Sequence, residues 1–215
     1  MRRPPLPLAV LTLAVLILVS CTSDEDAATT QPAPEEPAAE EPEPGREEDE
    51  GPEVAMTDAE GNEVGTVSLE PREGEVRIDA RLEGLPPGWH GFHVHDVGLC
   101  EADAPDGPFT TATGHYVGEG GTHGDHDGDM PSLYVKEDGT ARLTVDLDTF
   151  TFEELTEGDG AAVMVHAGSD NFANIPDRYT STESGQPGPD EMTTSTGDAG
   201  ARIACGVVPV ATPGA

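Results

Sequence analysis

Short segments in which apolar and polar residues alternate recur along the chain from about Pro52 onward. Alternation with a period of two is typical of a β-strand that buries one face. The inward-facing positions are Val76, Ile78, Ala80 and Leu82 in EVRIDARL, and Leu143, Val145 and Leu147 in ARLTVDL. Glu60-Gly61-Asn62 and Asp138-Gly139 are typical of hairpin turns. Because no helical period persists, the pattern predicts an all-β fold, either a sandwich or a flattened barrel.

Two long stretches interrupt this pattern, residues 101–130 and 167–200. Both are rich in Gly, Asp, Thr and Pro, residues that favour turns and irregular backbone. Loops of this length in a compact domain are usually functional or disordered. The sequence therefore predicts a β-domain with two long loops.

The N-terminus has the composition of an export signal. Arg2 and Arg3 precede an apolar run, residues 8–19, which is short for a membrane span and ends in LVSC. This arrangement resembles a bacterial lipoprotein signal, so we expect residues 1–20 to be removed and Cys21 to carry the lipid. An ordinary signal peptide with a chance cysteine is the alternative.

The next segment, residues 21–51, is acidic and proline-rich. Residues 22–51 contain 12 acidic residues and five prolines, with almost no large apolar side chains. Such a composition cannot bury enough surface to offset its ordering entropy, which predicts a disordered tether between a membrane and the domain. The whole chain has a formal net charge of −33. That charge argues against nucleic acid as a partner.

Two cysteines remain after Cys21, namely Cys100 and Cys205. In an exported protein such a pair is most simply a disulfide. Two free thiols or a thiolate metal site are the alternatives.

Six of the seven histidines fall in three places that suit metal binding. They are His93 and His95 in FHVH, His115, His123 and His126 in the first long loop, and His166 at the end of AAVMVH. Alternation in a strand would direct both histidines of FHVH to one face. Asp129 follows the loop histidines at short spacing. Imidazole together with carboxylate favours zinc or copper over calcium or magnesium.

Four motifs resemble those of the copper,zinc superoxide dismutase family. They are GLPPGWHGFHVHDVGLC, GHYVGEGGTHGDHDGD, MVHAGSDN and TGDAGARIACGVV. The resemblance covers nearly all of residues 53–210, which predicts a domain of residues 52–210 followed by a tail, residues 211–215. The resemblance implies a Greek-key immunoglobulin-like sandwich or flattened barrel.

The resemblance also implies specific roles for residues. The copper ligands would be His93, His95, His115 and His166, and the zinc ligands would be His115, His123, His126 and Asp129. His115 would bridge both metals and carry a proton during turnover. Asp170 would hydrogen-bond one ligand of each metal, and Arg202 would dock the anion beside copper. Cys100 and Cys205 would form the disulfide that holds the loop near Arg202.

The implied activity is the dismutation of superoxide outside the cytoplasmic membrane. A copper- or zinc-buffering lipoprotein on the same fold is the main alternative, and a structural domain without metal is a second. Two departures from the family pattern bear on efficiency. His126 follows His123 at an interval of only three positions, shorter than in many relatives, and Ser195 stands where the family commonly has a lysine. With a net charge of −24 over residues 52–215, we expect slow anion capture with weak or inverted salt dependence. The sequence assigns no oligomeric state.

Overall fold

Nine antiparallel strands form one continuous sheet in a computed structural model that describes residues 51–118 and 120–210. The strands are β1 (Glu53–Asp58), β2 (Glu63–Arg72), β3 (Glu75–Leu82), β4 (Gly88–His90), β5 (Phe92–His95), β6 (Leu133–Val135), β7 (Ala141–Leu147), β8 (Ala162–His166) and β9 (Arg202–Val207). Their order in the sheet is β4-β6-β7-β3-β2-β1-β9-β8-β5. The sheet curls into a nearly closed barrel, so the predicted all-β class and flattened-barrel form are confirmed.

Alternation along the strands creates the main core. In β3 the buried side chains are those of Val76, Ile78, Ala80 and Leu82, as the pattern predicted. They pack with apolar residues from the other strands around the barrel interior. A smaller apolar cluster lies beside the disulfide and contains Phe109, Ala112, Ala162, Met164 and Cys205. It joins the first long loop to β8 and β9.

Both predicted hairpin turns are present, between β1 and β2 and between β6 and β7. Short helices that the sequence pattern did not indicate lie in both long loops and in the connection between β7 and β8. A 3-10 helix spans Thr110–Ala112, α1 spans Phe152–Leu155, and α2 spans Glu191–Thr196. Side chains cap the two α-helices at Thr151 and Asp190. Capping of this kind stabilises helices too short to show a period.

The predicted signal peptide 1–20, Cys21, almost all of the tether 21–51 and the tail 211–215 lie outside the described residues. Within the described ranges, no helix is long and apolar enough to cross a membrane.

Candidate metal centre

Four histidines converge where β5 and β8 run side by side. His93 and His95 belong to β5, His166 ends β8, and His115 is joined to His95 by an isolated β-bridge. One ring nitrogen from each of the four residues lies within 4.8 Å of the others, and all four side chains are buried. We call this the four-histidine cluster. It contains every residue predicted to bind copper.

The outer nitrogens of two strand histidines are hydrogen-bonded, which fixes their rings. His95 Nδ1 contacts Thr113 O at 3.0 Å, and His166 Nδ1 contacts Gly200 O at 3.1 Å. Because a carbonyl oxygen only accepts, these two Nδ1 atoms carry the protons, and the Nε2 atoms keep their lone pairs. The two Nε2 atoms lie 3.3 Å apart. Both rings therefore present a metal-binding lone pair to one point.

The first long loop supplies a second group of ligands, His115, His123, His126 and Asp129, which we call the loop cluster. Asp129 Oδ1 lies 2.9 Å from His115 Nδ1 and 3.0 Å from His123 Nδ1. These three residues, together with His93, each offer a ligand atom within 4.8 Å of the others.

His126 is buried beside this group but outside the 4.8 Å set. Its Nδ1 is 3.7 Å from Asp129 Oδ2. The structure thus assembles three of the four predicted zinc ligands and places the fourth next to them.

The unpartnered nitrogens test whether metal ions fit these residues. His93 Nδ1, His115 Nε2 and His126 Nδ1 are buried and have no hydrogen-bond partner among the residues that the structure describes. Burying a polar atom without a partner is unfavourable, and a bound cation would remove that penalty. His115 presents Nδ1 to the loop cluster and the free Nε2 to the four-histidine cluster. The donor set fits two metal ions that share this imidazole.

Asp170 accepts a hydrogen bond from one histidine of each cluster. Its Oδ2 accepts from His93 Nε2 at 2.6 Å, and its Oδ1 accepts from His123 Nε2 at 2.7 Å. The backbone N–H of Phe172 donates to Oδ1 as well, at 2.7 Å. One carboxylate thus orients a ligand from each cluster, which is where the resemblance placed it.

His123 of the loop cluster differs in protonation from the three strand histidines. Burial lowers the pKa of His93 to about 4 and that of His166 to about 3, and it takes the pKa of His95 well below its usual range. Burial also disfavours the charged form of His123, but hydrogen bonds to Asp129 and Asp170 outweigh it and raise the pKa to about 9. Without metal, the strand histidines are neutral near pH 7 and His123 is a cation.

Arg202 lies at the start of β9 and is half-buried. Its guanidinium donates to Phe109 O at 2.5 Å and to Thr113 O, the carbonyl that also holds His95. In the described part of the chain Arg202 forms no ion pair with a carboxylate. Its charge is therefore available to a small anion. The Cys100–Cys205 disulfide is present and ties the same loop to β9.

Two residues at this centre, Thr113 and Gly197, were not identified from the sequence. Thr113 has φ of 59° and ψ of −144°, a conformation favoured by glycine, and its carbonyl contacts both His95 and Arg202. Gly197 ends α2 at φ of 61°. A Cβ there would lie 2.0 Å from Asp170 Oδ1 and 2.2 Å from His123 Nε2. Recognising α2 would have identified Gly197 as a helix C-cap.

The remaining histidine, His90, has a structural role and contacts two backbone carbonyls. Its ring nitrogens contact His166 O at 2.7 Å and Pro86 O at 2.8 Å, so it braces the backbone of a cluster residue and contributes to neither cluster.

Known proteins are similar in sequence to this chain over most of the domain that carries the centre. Residues 63–208 match a family model described as copper/zinc superoxide dismutase. The chain is 50% identical over 141 residues to superoxide dismutase [Cu-Zn] of Mycolicibacterium paratuberculosis, covering 62% of each protein. It is 45% identical over 153 residues to that of Mycobacterium tuberculosis, covering 66% of this chain and 63% of the relative. The match thus spans less than two thirds of these relatives' length.

Solved structures agree on the fold. The Cu/Zn superoxide dismutase of Brucella abortus superposes with a TM-score of 0.51 at 31% identity, covering 73% of this chain and 98% of that one. A single-site mutant of a SOD-like protein from Bacillus subtilis gives a TM-score of 0.58 at 25% identity, covering 73% of this chain and 96% of that one. The family model, the two clusters of ligand residues and the barrel fold all lead to the same conclusion: the chain belongs to the copper/zinc superoxide dismutase family.

Proposed function

We propose that this protein dismutates superoxide. The observation that carries the proposal is the four-histidine cluster, with ligand nitrogens within 4.8 Å of one another, beside an arginine without a carboxylate partner in the described ranges. Two superoxide anions and two protons give one O2 and one H2O2, so one anion is oxidised while the other is reduced. Metal binding alone would not require Arg202 at this position.

The ligands fall into two roles in this proposal. Copper held by His93, His95, His115 and His166 would supply the one-electron redox chemistry, and zinc held by His115, His123, His126 and Asp129 would organise the site without redox chemistry of its own. Asp170 holds His93 and His123 in fixed orientations. Fixed ring orientation and tautomer raise metal affinity and selectivity.

Arg202 and His115 perform the steps assigned to the protein. The Arg202 guanidinium, clamped by two backbone carbonyls, presents a fixed positive charge to the incoming anion. His115 Nε2 has no hydrogen-bond partner among the described residues, so it can take up a proton and return it to the reduced product. The outer nitrogens of His95 and His166 are occupied by hydrogen bonds that keep their rings in place.

Activity of the purified protein loaded with copper and zinc tests this proposal. We expect cyanide-sensitive dismutation that Arg202→Gln lowers by about 100-fold, because one preorganised electrostatic contact is removed. Copper content should stay unchanged in that variant. A copper-loaded protein without activity would instead favour the metal-buffering alternative.

We also propose that the protein acts outside the cytoplasmic membrane, anchored by a lipid on Cys21. The support is the sequence of the N-terminal segment, with its basic start, apolar run and LVSC ending. Metabolic labelling with alkyne palmitate tests the anchor. Labelling should be lost in Cys21→Ser, and absence of label in the unaltered protein would exclude the anchor.

A further inference from the structure

A turn in the second long loop, residues 170–174, holds an aromatic ring against the loop cluster. Phe172 stacks on the imidazole of His123, with 15° between the ring planes and 6.2 Å between the ring centroids. This separation is within the range of offset-stacked aromatic pairs. In the described part of the chain, Phe172 is the one aromatic residue outside the two clusters whose ring contacts a cluster histidine. A side chain that is not a ligand therefore contacts a predicted zinc ligand directly.

The Phe172 ring lies between this imidazole and solvent. The His123 side chain is 0% exposed, although the residues on either side of it are exposed. Phe172 itself is 41% exposed, so one part of it covers His123 and another part faces water. Residues 116–128 contain only two large apolar side chains, Tyr116 and Val117. Tyr116 packs on the main core and Val117 is exposed, so apolar cover for His123 has to come from another segment.

Phe172 has a backbone conformation that bulky residues rarely adopt. Its φ is 52°, and the φ of Ala173 is 53°, so two consecutive residues other than glycine are left-handed. Such conformations are unfavourable and persist only where the surrounding contacts enforce them, most often at functional sites. The contacts that enforce this turn therefore indicate what the turn is for.

Two side-chain oxygens fix the backbone of the turn. Asp170 Oδ1 accepts from the N–H of Phe172 at 2.7 Å. Asn171 Oδ1 accepts from the N–H of Ala173 at 2.9 Å, which makes a second Asx turn directly after the first. Asn171 Nδ2 also donates to Asp198 Oδ2 at 2.6 Å, close to the end of α2. The turn is thus held by α2 and by the carboxylate that contacts both clusters.

Phe172 meets the loop cluster at three points. Its ring stacks on His123, and its N–H shares Asp170 Oδ1 with His123 Nε2, which donates to that oxygen at 2.7 Å. Its carbonyl approaches Gly124, where an added Cβ would lie 2.8 Å from Phe172 O. Gly124 has φ of 92°, and its N–H donates to Asp129 Oδ2 at 2.6 Å. The strained turn therefore places Phe172 on a ligand and on the residues that support the ligands.

We propose that Phe172 is a positioning residue for zinc: its ring holds the His123 imidazole in the orientation that zinc binding requires and shields the loop cluster from water. This inference rests on the part of the proposed function that assigns zinc to the loop cluster, and not on dismutation. Contacts that fix the ring of a ligand raise its affinity for metal. Water and chelators reach a metal ion past its ligands, so a ring that covers a ligand slows release of the ion. The Phe172 ring contacts no histidine of the four-histidine cluster among the described residues, so copper should be retained without it.

Zinc release from the full chain loaded with copper and zinc tests the proposal, with a chromogenic chelator in excess. Phe172→Asn removes the ring and keeps a residue that tolerates a left-handed backbone. We expect zinc to leave this variant about tenfold faster, with copper retained. Phe172→Tyr keeps the ring and should release zinc at the unaltered rate. The matched control is Tyr179→Asn, which removes another exposed ring from the same long loop, one that contacts Arg178. It should release zinc like the unaltered protein.

Phe172→Gly separates the ring from the backbone strain. Glycine adopts the left-handed conformation freely, so a purely structural role of the turn predicts unchanged zinc release in this variant. Loss of the ring predicts the same acceleration as in Phe172→Asn. Cobalt(II) bound in place of zinc gives a second measurement, since its visible absorption depends on the geometry of the ligands. We expect the cobalt spectrum to change in Phe172→Asn and Phe172→Gly and to stay as it is in Phe172→Tyr.

The proposal is wrong if the release rate or the cobalt spectrum stays unchanged in both variants that lack the ring. Equal acceleration by Tyr179→Asn would also overturn it, as would fast release from Phe172→Tyr. Failure of the proposed function would look different. A protein that does not dismutate superoxide, but whose zinc release still depends on the Phe172 ring, would refute the activity and support this inference.

Discussion

The two ligand clusters of the metal centre are built on different kinds of backbone. His93, His95 and His166 come from paired strands, and two of their outer nitrogens contact backbone carbonyls. The loop cluster comes from one irregular segment of 15 residues, from His115 to Asp129, and is held by carboxylates. The strand ligands are neutral and preset for metal, whereas His123 carries a proton that metal binding must displace.

The imidazole of His115 thus connects a site fixed by strand register to a site held by loop carboxylates. Register fixes the strand ligands, because His93 is opposite Met164 and His95 is opposite Ala162 in the barrel. The loop ligands depend instead on Asp129, which also accepts from the N–H groups of Gly124 and His126. We therefore expect changes to the strand ligands to remove activity and changes to the loop ligands to reduce zinc binding.

Removing one histidine from each cluster gives the largest expected contrast. His95→Ala should lose copper and bring the rate to that of uncatalysed dismutation, because a buried redox ligand is gone. His126→Ala should keep copper and measurable activity while losing zinc. Metal analysis and activity assays of the two variants check this. Equal loss of activity in both would contradict the division between the clusters.

Gly197→Ala tests the support of the loop cluster without changing a ligand. The added Cβ would meet Asp170 and His123, so we expect zinc affinity to fall about 10- to 100-fold while copper is retained. Gly185→Ala is the matched control. Gly185 has a similar φ of 69° but open space around its Cβ position. Competition with a zinc chelator measures the effect, and identical affinities in the two variants would refute steric displacement as the cause.

The pH dependence of metal binding should separate the clusters further. His123 has its pKa raised to about 9, so below that pH zinc must displace a proton, and its apparent affinity should fall about tenfold per pH unit. His93 and His166, with pKa values of about 4 and about 3, need no such displacement from about pH 5 to about pH 9. Calorimetric titration of the metal-free protein with each ion checks this. Parallel pH profiles for zinc and copper would contradict it.

The smallest expected effect concerns anion capture rather than the ligands. Ser195 lies on α2, where its hydroxyl donates to Glu191 O at 2.7 Å. Ser195→Lys should raise the rate a few-fold at low salt and make it fall as salt is added, because a cation in the loop that leads to Arg202 attracts the anionic substrate. The unaltered protein should show weak or inverted salt dependence. Ser68→Lys on β2 adds the same charge in the middle of the sheet and should change little.

Much of this architecture was predictable because it is local. The alternation in EVRIDARL predicted β3 and its buried face, and the family motifs identified every ligand of the four-histidine cluster. Asp170 and the pairing of Cys100 with Cys205 also followed from those motifs. Such features are recorded in short contiguous segments, which is why the sequence alone indicates them.

Other features depend on contacts between distant segments. The helix α2 has only six residues and is defined by its Asp190 cap and its packing against His123, whose N–H donates to Thr194 O. The position of His126 outside the 4.8 Å set is also a property of the folded loop that residue spacing alone did not indicate. Likewise, Trp89 is opposite Tyr134, and Arg142 is opposite Arg81, only because strands distant in the sequence pair in a particular register. Sequence periodicity does not encode these alignments.

Titration of the metal-free protein with copper alone tests most directly the claim that the four-histidine cluster carries the reaction. Activity and the electron paramagnetic resonance signal of Cu(II) would be followed together at about pH 6, where His123 is protonated and zinc is absent. We predict that activity rises linearly and saturates at one equivalent of copper, with nitrogen ligands in the spectrum. Stoichiometric copper binding without activity until zinc is added would contradict the account.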